Sequence, residues 1–329
     1  MDRIDAMRVF VTVLDEGSLA GAGRRLGHSP AAVTRAIAFL EAHVGVQLLH
    51  RTTRALRLSE AGERYAAACR RVLTDLEEAD MLAAGERAAP RGTLTLTAPL
   101  VSGAQVLRPI LDAFLDAQPA VRARLLLLDR SVNLMDEGVD VALRIAHLPD
   151  SSLIAVKIGE VRRVVCASPA YLADRPAILH PSDLAAHRCI AMTSFGQEAW
   201  AFAGATGTGG QSVQIAPRLI VNSVEAAVGS ALEGHGVTRV LSYQVAEHVR
   251  AGRLSILLAQ HEPPPFPVHL IMPEGRLSAP KVRTFVDFAV PRLKAAFARL
   301  ALPADALNPA APAETPPGRR RAGATPPGP

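Results

Sequence analysis

The sequence predicts a multidomain α+β chain: a small helical N-terminal domain closed by a β-hairpin, one long helix, and a larger α/β region. Three observations predict this. Apolar residues recur every three or four positions up to Val44, then alternate between Gln47 and Leu58. An apolar heptad repeat runs from Tyr65 to Ala83. From Thr93 onward, apolar strand-like runs alternate with amphipathic stretches. At 329 residues the chain exceeds what one hydrophobic core organises, so two or three domains are expected.

Ile4, Met7, Phe10, Val11 and Leu14 mark the inner face of a first helix over 4–15, which Glu16-Gly17 stops. Ser18 is placed to cap a short second helix with Leu19, Ala22 and Leu26 on one face, and Gly27 suits its C-terminal turn. Ser29 can cap a third helix with Pro30 at its first position, where the missing N–H costs nothing. Val33, Ile37, Leu40 and Val44 turn inward. "QLLHRTTRALRL" (47–58) then reads as a small hairpin with Arg51 to Arg54 near its tip.

Ser59 opens the long helix, and Tyr65, Cys69, Val72, Leu76, Ala79 and Ala83 follow in a coiled-coil seam. From 59 to 86 the helix would reach about 40 Å at 1.5 Å per residue. A helix lying only on its own domain gives a similar repeat over so few heptads. The length to be buried favours a dimer seam. "AAPRG" (88–92) breaks it.

Beyond this break, "TLTLTAP" reads as a strand and "VLRPILDAFLDAQ" as a helix. "VRARLLLLD" and "VDVALRI" read as strands around a short helix, with "LIAVKI" and "RRVVCAS" after them. "RCIAMT", "RLIVNS", "VTRVLS", "LSILL" and "VHLIMP" are further strands. "VEAAVGSALEG", "SYQVAEHVRAG" and Pro280 to Leu300 are helices. Apolar strands imply covered sheets, and some 200 residues of this texture suit two α/β subdomains with a cleft. After Leu302 no apolar periodicity remains; 303–329 reads as a disordered tail whose Arg319-Arg320-Arg321 touches DNA phosphates or nothing.

Charge and motifs narrow the function. Lys and Arg total 36 against 31 Asp and Glu, a net charge of +5. Between Ala20 and Arg64 seven arginines face three acids. Three helices and a hairpin carrying such charge form a winged helix-turn-helix, whose third helix enters the major groove with its first turn against base edges. Pro30, Ala31 and Ala32 keep that turn small. Alanine methyls can meet thymine methyls, Ser29 and Thr34 can hydrogen-bond, Arg35 can reach guanine or backbone, and the wing arginines can hold phosphates. The same pattern would arise from solvated arginines on a three-helix core, but the charged wing and heptad helix together favour DNA.

The stretch from Met1 to Gly62, with "LTAPLVSGAQVLRPIL", "DVALRIAHLPDSSL", "RVVCASPAYL" and "VNSVEAAVGSALEGHGVTRVLSYQVAEHVRAGRL", resembles LysR-type transcriptional regulators up to about Leu300. The resemblance implies a winged helix-turn-helix over 1–58 and a linker and dimerisation helix with hinge over 59–91. It implies an effector-binding domain over 92–302, in two α/β subdomains resembling periplasmic binding proteins (92–162 with 266–302, and 163–265). The chain would cross between them near Glu160–Arg163 and Pro263–Phe266. It implies DNA contacts at Ser29, Pro30, Ala31, Ala32, Thr34, Arg35, Arg51, Thr52 and Arg54. It further implies a homodimer through the linker helix, usually a homotetramer on promoter DNA, and leaves RNA polymerase as a further partner. One departure stands out: the family usually has glutamine where Pro30 stands, and often proline at Ala31. Proline cannot make glutamine's bidentate contact to adenine, so apolar contact or DNA shape would take over there.

For the effector, expected to be a small organic acid, the resemblance implies Pro99, Leu100, Val101, Ser102, Arg144, Ala146, Thr193, Ser194, Asn222 and Ser223. Hydroxyls, amides and exposed N–H groups there could hold a carboxylate, with Arg144 adding charge. Ser102, Thr193 and Ser223 read equally well as helix caps.

Other classes find less support. No run of about 18 apolar residues exists, and "MDRIDAMRVF" is not a signal peptide. Cys69, Cys166 and Cys189 are odd in number and far apart, which suggests a reducing cytoplasm, buried structural thiols, no disulfides and no zinc. His147 and His235 lie near the expected cleft without a nucleophile beside them. G-x-S-x-G, Walker A and H-E-x-x-H are missing, so neither an enzyme nor a cofactor is expected. An α/β enzyme or solute-binding protein with an N-terminal oligomerisation arm, and a non-specific architectural DNA binder, are the competing readings.

Overall fold

The computed structural model describes residues 2–51, 56–83, 89–130, 132–148, 153–194, 197–203 and 210–302. These form two compact units, the first from Met1–Val161 and Pro265–Ala301, the second from Arg162–Pro264 joined by Leu302.

The first unit opens with α1 (Arg3–Glu16), α2 (Leu19–Leu26) and α3 (Pro30–Val44). Ser18 Oγ accepts the Gly21 N–H at 3.0 Å, and Ser29 Oγ the Ala32 N–H at 3.2 Å, so both helices start at their serine caps. Gly27 closes α2 at φ 68°, a left-handed value that glycine adopts without strain. The turn to α3 is therefore set by local chemistry.

β1 (Leu49–Arg51) pairs antiparallel with β2 (Leu56–Leu58), with Arg51 opposite Leu56. The expected wing tip, including Thr52 and Arg54, lies outside the described residues. α4 (Glu60–Ala83) starts against this hairpin: a Cβ on Gly62 would collide with the Leu48 carbonyl. Ser59 Oγ donates to Gln47 O at 2.6 Å and accepts from Gly62 N–H at 2.9 Å, binding hairpin to helix.

The heptad on α4 does not act as one seam. Cys69 is fully buried in the core of Phe10, Val13, Ile37 and Leu40, and Tyr65 packs on that core with its ring 6.1 Å from Phe10. α1 lies along the first turns of α4 and takes these two positions. Val72, farther along, is 44% exposed.

The rest of this unit is built on a five-stranded sheet of β3 (Gly92–Ala98), β4 (Val121–Leu127), β5 (Val141–Ile145), β6 (Leu153–Val161) and β14 (Phe266–Pro273), in the order β4-β3-β5-β14-β6. β3 is parallel to β4 and β5, whereas β14 returns antiparallel between β5 and β6. After β3, α5 (Leu100–Ser102) runs through a π-helical turn, Gly103–Leu107, into α6 (Arg108–Ala117). α10 (Pro280–Leu300) closes the unit, with Phe285 edge-on to Phe114 at 5.1 Å. The short helix expected between β4 and β5 is replaced by turns among the described residues. Asn133 Oδ1 accepts the Met135 N–H at 3.1 Å, a local bond that competes with helix.

Buried charge ties this unit together. Lys281, at the start of α10, is fully buried; its Nζ donates to Thr93 O at 2.9 Å and lies 3.8 Å from Asp140 Oδ2. Asp140 Oδ2 also accepts the Thr95 N–H at 2.8 Å. Arg276 places Nη1 3.7 Å from Asp140 and Nη2 3.2 Å from Asp75 on α4, joining the sheet to α4. Burial pushes the Asp140 carboxyl up, against the downward pull of Lys281, the Thr95 N–H and Arg276.

The second unit holds β7 (Arg163–Ala167), α7 (Pro169–Ala173), β8 (Cys189–Met192), β9 (Ala199–Ala203), β10 (Gly210–Gln214), β11 (Pro217–Val221), α8 (Val224–Leu232), β12 (Val237–Leu241), α9 (Ser242–Arg250) and β13 (Ser255–Leu257). Its main sheet has the order β11-β8-β12-β7-β13, with β11, β8 and β12 parallel and β7 antiparallel to β12 and β13. The hairpin β9–β10 had no counterpart in the sequence reading; Trp200, Phe202 and Val213 bury it. The covered-sheet expectation fails at the β11 edge, where Leu219 and Ile220 stay exposed.

Candidate nucleic-acid interface and regulatory residues

α3 divides cleanly by burial. Val33, Ala36, Ile37 and Leu40 are buried. Ser29, Pro30, Ala31 and Arg35 are exposed, and Ala32 and Thr34 half-buried. The six expected groove-facing residues therefore occupy the first turns of one helix, with no long side chain before Arg35. Such a surface lets backbone approach a groove closely, and the N-terminal end of the helix favours a phosphate.

Two neighbours escaped the sequence reading. His50 on β1 stands directly opposite Arg57 on β2, and both are exposed. Cross-strand register is the signal that would have paired them. Phe39, 39% exposed, continues the outer face of α3 one turn beyond Arg35, its ring stacked on His43 at 6.4 Å. Of the wing residues, Arg51 is described in its backbone only; Thr52 and Arg54 lie outside the described residues.

The regulatory candidates gather at strand ends, in two sets. In the first unit, the register of β3 with β5 puts Pro99–Ser102 and Arg144–Ala146 at the same end of adjacent parallel strands. In the second, Val221 lies opposite Met192, so Thr193-Ser194 and Asn222-Ser223 leave neighbouring parallel strands together. Ligands of open α/β sheets bind outside such carboxyl ends.

The individual groups differ from expectation. Several N–H groups are already engaged: Leu100 donates to Asp129 Oδ1 at 3.0 Å, Ala146 to Pro267 O at 3.2 Å and Thr193 to Val221 O at 3.0 Å. Ser102 is fully buried, with its hydroxyl directed to Pro99 O at 3.4 Å, and Ser223 caps α8 by accepting the Ala226 N–H at 3.3 Å. Thr193, Ser194 and Asn222 are exposed. Arg144 carries a buried Nη2 that has no hydrogen-bond partner among the described residues. Burial lowers its pKa, the nearby Glu137 opposes that shift, and Arg130 adds to it.

Burial pushes the thiols of Cys69 and Cys189 up to about 11 and of Cys166 to about 12, so none is a ready thiolate. Among the described residues no group of three His, Cys, Asp or Glu could hold a metal, and no helix is long and apolar enough to cross a membrane. His235 pairs at 3.5 Å with Glu233, and His147 lies 5.6 Å from the Phe266 ring.

Residues 4–63 match the model of the bacterial regulatory helix-turn-helix proteins of the lysR family, and residues 87–294 match the LysR substrate binding domain. An HTH-type transcriptional repressor of Pseudomonas aeruginosa is 34% identical over 292 residues, 88% of this chain and 92% of its own length. An HTH-type transcriptional regulator of Xanthomonas campestris is 33% identical over 288 residues, covering 87% and 84%. The solved structure of CrgA, a LysR-type transcriptional regulator from Neisseria meningitidis, superposes with a TM-score of 0.56 at 30% identity, over 88% of this chain and 98% of that one.

Proposed function

Since the chain belongs to the LysR family of DNA-binding transcriptional regulators, not to an enzyme family, we propose that it reads an operator through α3 and the β1–β2 hairpin and that a small-molecule effector held by its regulatory domain modulates that binding. The observation that carries the first half is the exposed, small first turn of α3, from Ser29 to Arg35. Proline at position 30 offers no side-chain polar group, so close approach and DNA shape contribute more of the readout. Arg51, Thr52 and Arg54 hold the flanking backbone.

The second half is supported by Arg144, whose buried Nη2 awaits an acceptor. A carboxylate would supply it, in a charge-assisted pair. In the same unit Asp129 must yield the Leu100 N–H if the acid also uses that loop, and the second unit offers exposed hydroxyl and amide groups of its own at Thr193, Ser194 and Asn222. The protein works in the cytoplasm as a homodimer joined through 59–91, with Val72, Leu76 and Ala79 as the part of the repeat that the domain's own core leaves open, and as a homotetramer on DNA. RNA polymerase is a further partner.

A gel-shift assay on the chain's own promoter region tests the reading. The expected result is a sequence-selective shift at moderate salt that a small organic acid alters in wild type but not in Arg144→Gln. Equal affinity for unrelated duplexes at matched salt would leave only architectural binding.

A further inference from the structure

A cavity of about 490 Å³ lies within the first unit, where α1, α2 and β2 of the N-terminal domain, α4 and the β3–β4 face of the regulatory sheet meet. Its floor follows from sheet register: Thr93 lies opposite Arg122 and Thr95 opposite Arg124, so two hydroxyls and two guanidinium groups share one face. Its walls include Val11, Leu26, Leu58, Leu73 and Leu126.

The other arginines on the rim are spoken for. Arg8 reaches Asp5 at 3.4 Å, Arg25 reaches Glu16 at 2.8 Å, and Arg70 reaches Asp15 at 2.8 Å. Glu137 is held by Arg130 at 2.9 Å. Arg122 and Arg124 make no hydrogen bond or ion pair among the described residues. Arg124 is half-buried, and its charged form is disfavoured first by burial and then by the like charge of Arg70, with Asp15 only partly compensating. Glu63 also lines the cavity, so the charge of Arg124 is compensated only in part, and beside apolar walls it can take a further anion with an apolar body.

We propose that this cavity is a second ligand site, distinct from the effector residues, that takes a small amphipathic carboxylate. The acid group pairs with Arg124 and Arg122, Thr93 and Thr95 donate their hydroxyls, and the hydrocarbon body lies against Leu73 and Leu126. The N-terminal domain, α4 and the regulatory sheet all supply walls, so a ligand there stabilises the arrangement in which they meet. Binding is thereby coupled to DNA affinity, and the coupling is reciprocal.

The test uses the full-length chain and hexanoate as probe, with inorganic phosphate as a charge without a body. Expected are a melting temperature that rises by a few degrees with millimolar hexanoate, and one hexanoate per chain by equilibrium dialysis at that site. Both are lost in Arg124→Gln and retained in Arg144→Gln. Should Arg124→Gln fail to fold, Thr95→Val is expected to weaken hexanoate binding several-fold. The proposal is overturned if wild type shows no rise, if Arg124→Gln and Thr95→Val bind as wild type does, if phosphate acts as well as hexanoate, or if Arg144→Gln alone abolishes the effect.

Discussion

The N-terminal domain and the regulatory sheet of the same unit bury different things. Phe10, Ile37, Leu40 and Leu48 make an apolar core, and among the described residues no charged side chain of that domain is buried. The regulatory sheet instead closes around Asp140, Lys281 and Arg276. Recognition therefore sits on a scaffold whose polar surface can change with little loss of fold, whereas the regulatory part depends on buried charges that must all be present. Burying one charge without its partner costs far more than loosening an exposed pair.

The largest expected effect breaks that contrast most sharply. Lys281→Met leaves the Asp140 carboxylate in the interior with one cation fewer, and should lower stability by about 3–5 kcal/mol in circular dichroism melting. Arg25→Ala, which loses only an exposed pair with Glu16, should cost about 1 kcal/mol or less. Similar losses in the two variants would erase the distinction.

A smaller effect comes from the second unit, where Glu262 faces Arg162 at 3.1 Å. Burial outweighs that pairing and pushes the carboxyl from 4.5 up to about 7. The folded chain thus holds a proton that the unfolded chain releases above 4.5, so its contribution to stability is present below that value and lost as pH rises toward 7. Melting temperatures in that window should decline with pH in wild type and decline less in Glu262→Gln; an unchanged slope would remove the role given to burial.

Smallest is the cap. Ser29→Ala removes the side-chain acceptor of the Ala32 N–H, which keeps its bond to Ser29 O at 2.9 Å, and should cost about 1 kcal/mol or less in thermal unfolding. It should also weaken operator binding, because α3 begins at that residue. Undiminished affinity would mean that Ser29 only shapes the helix.

The same contrast explains what could be read in advance. Ser18, Gly27, Ser29 and Pro30 act within four residues of themselves, so the helix-turn-helix and the outward face of α3 were legible. The pairing of Asp140 with Lys281 joins residues 141 positions apart, and no local pattern announces it. The engagement of the Leu100, Ala146 and Thr193 N–H groups likewise depends on distant partners, so the sequence suggested donors where the fold had already used them. On α4 the repeat was visible, but its division between Cys69, taken by the domain core, and Val72, left open, depended on where α1 would lie. The β9–β10 hairpin was missed because "AWAF" and "GQSVQ" are too short to show a period.

The central claim is that the first turn of α3 reads bases while the wing holds backbone. The most direct measurement is the affinity of wild type, Arg35→Ala and Arg54→Ala for a panel of operator duplexes, each changed at one base pair, at fixed salt. The account predicts that Arg35→Ala loses about 1–3 kcal/mol and its preference at one position, while Arg54→Ala weakens every duplex alike. If Arg35→Ala also weakens all duplexes equally, Arg35 touches only phosphate and the base-reading role of this face is contradicted.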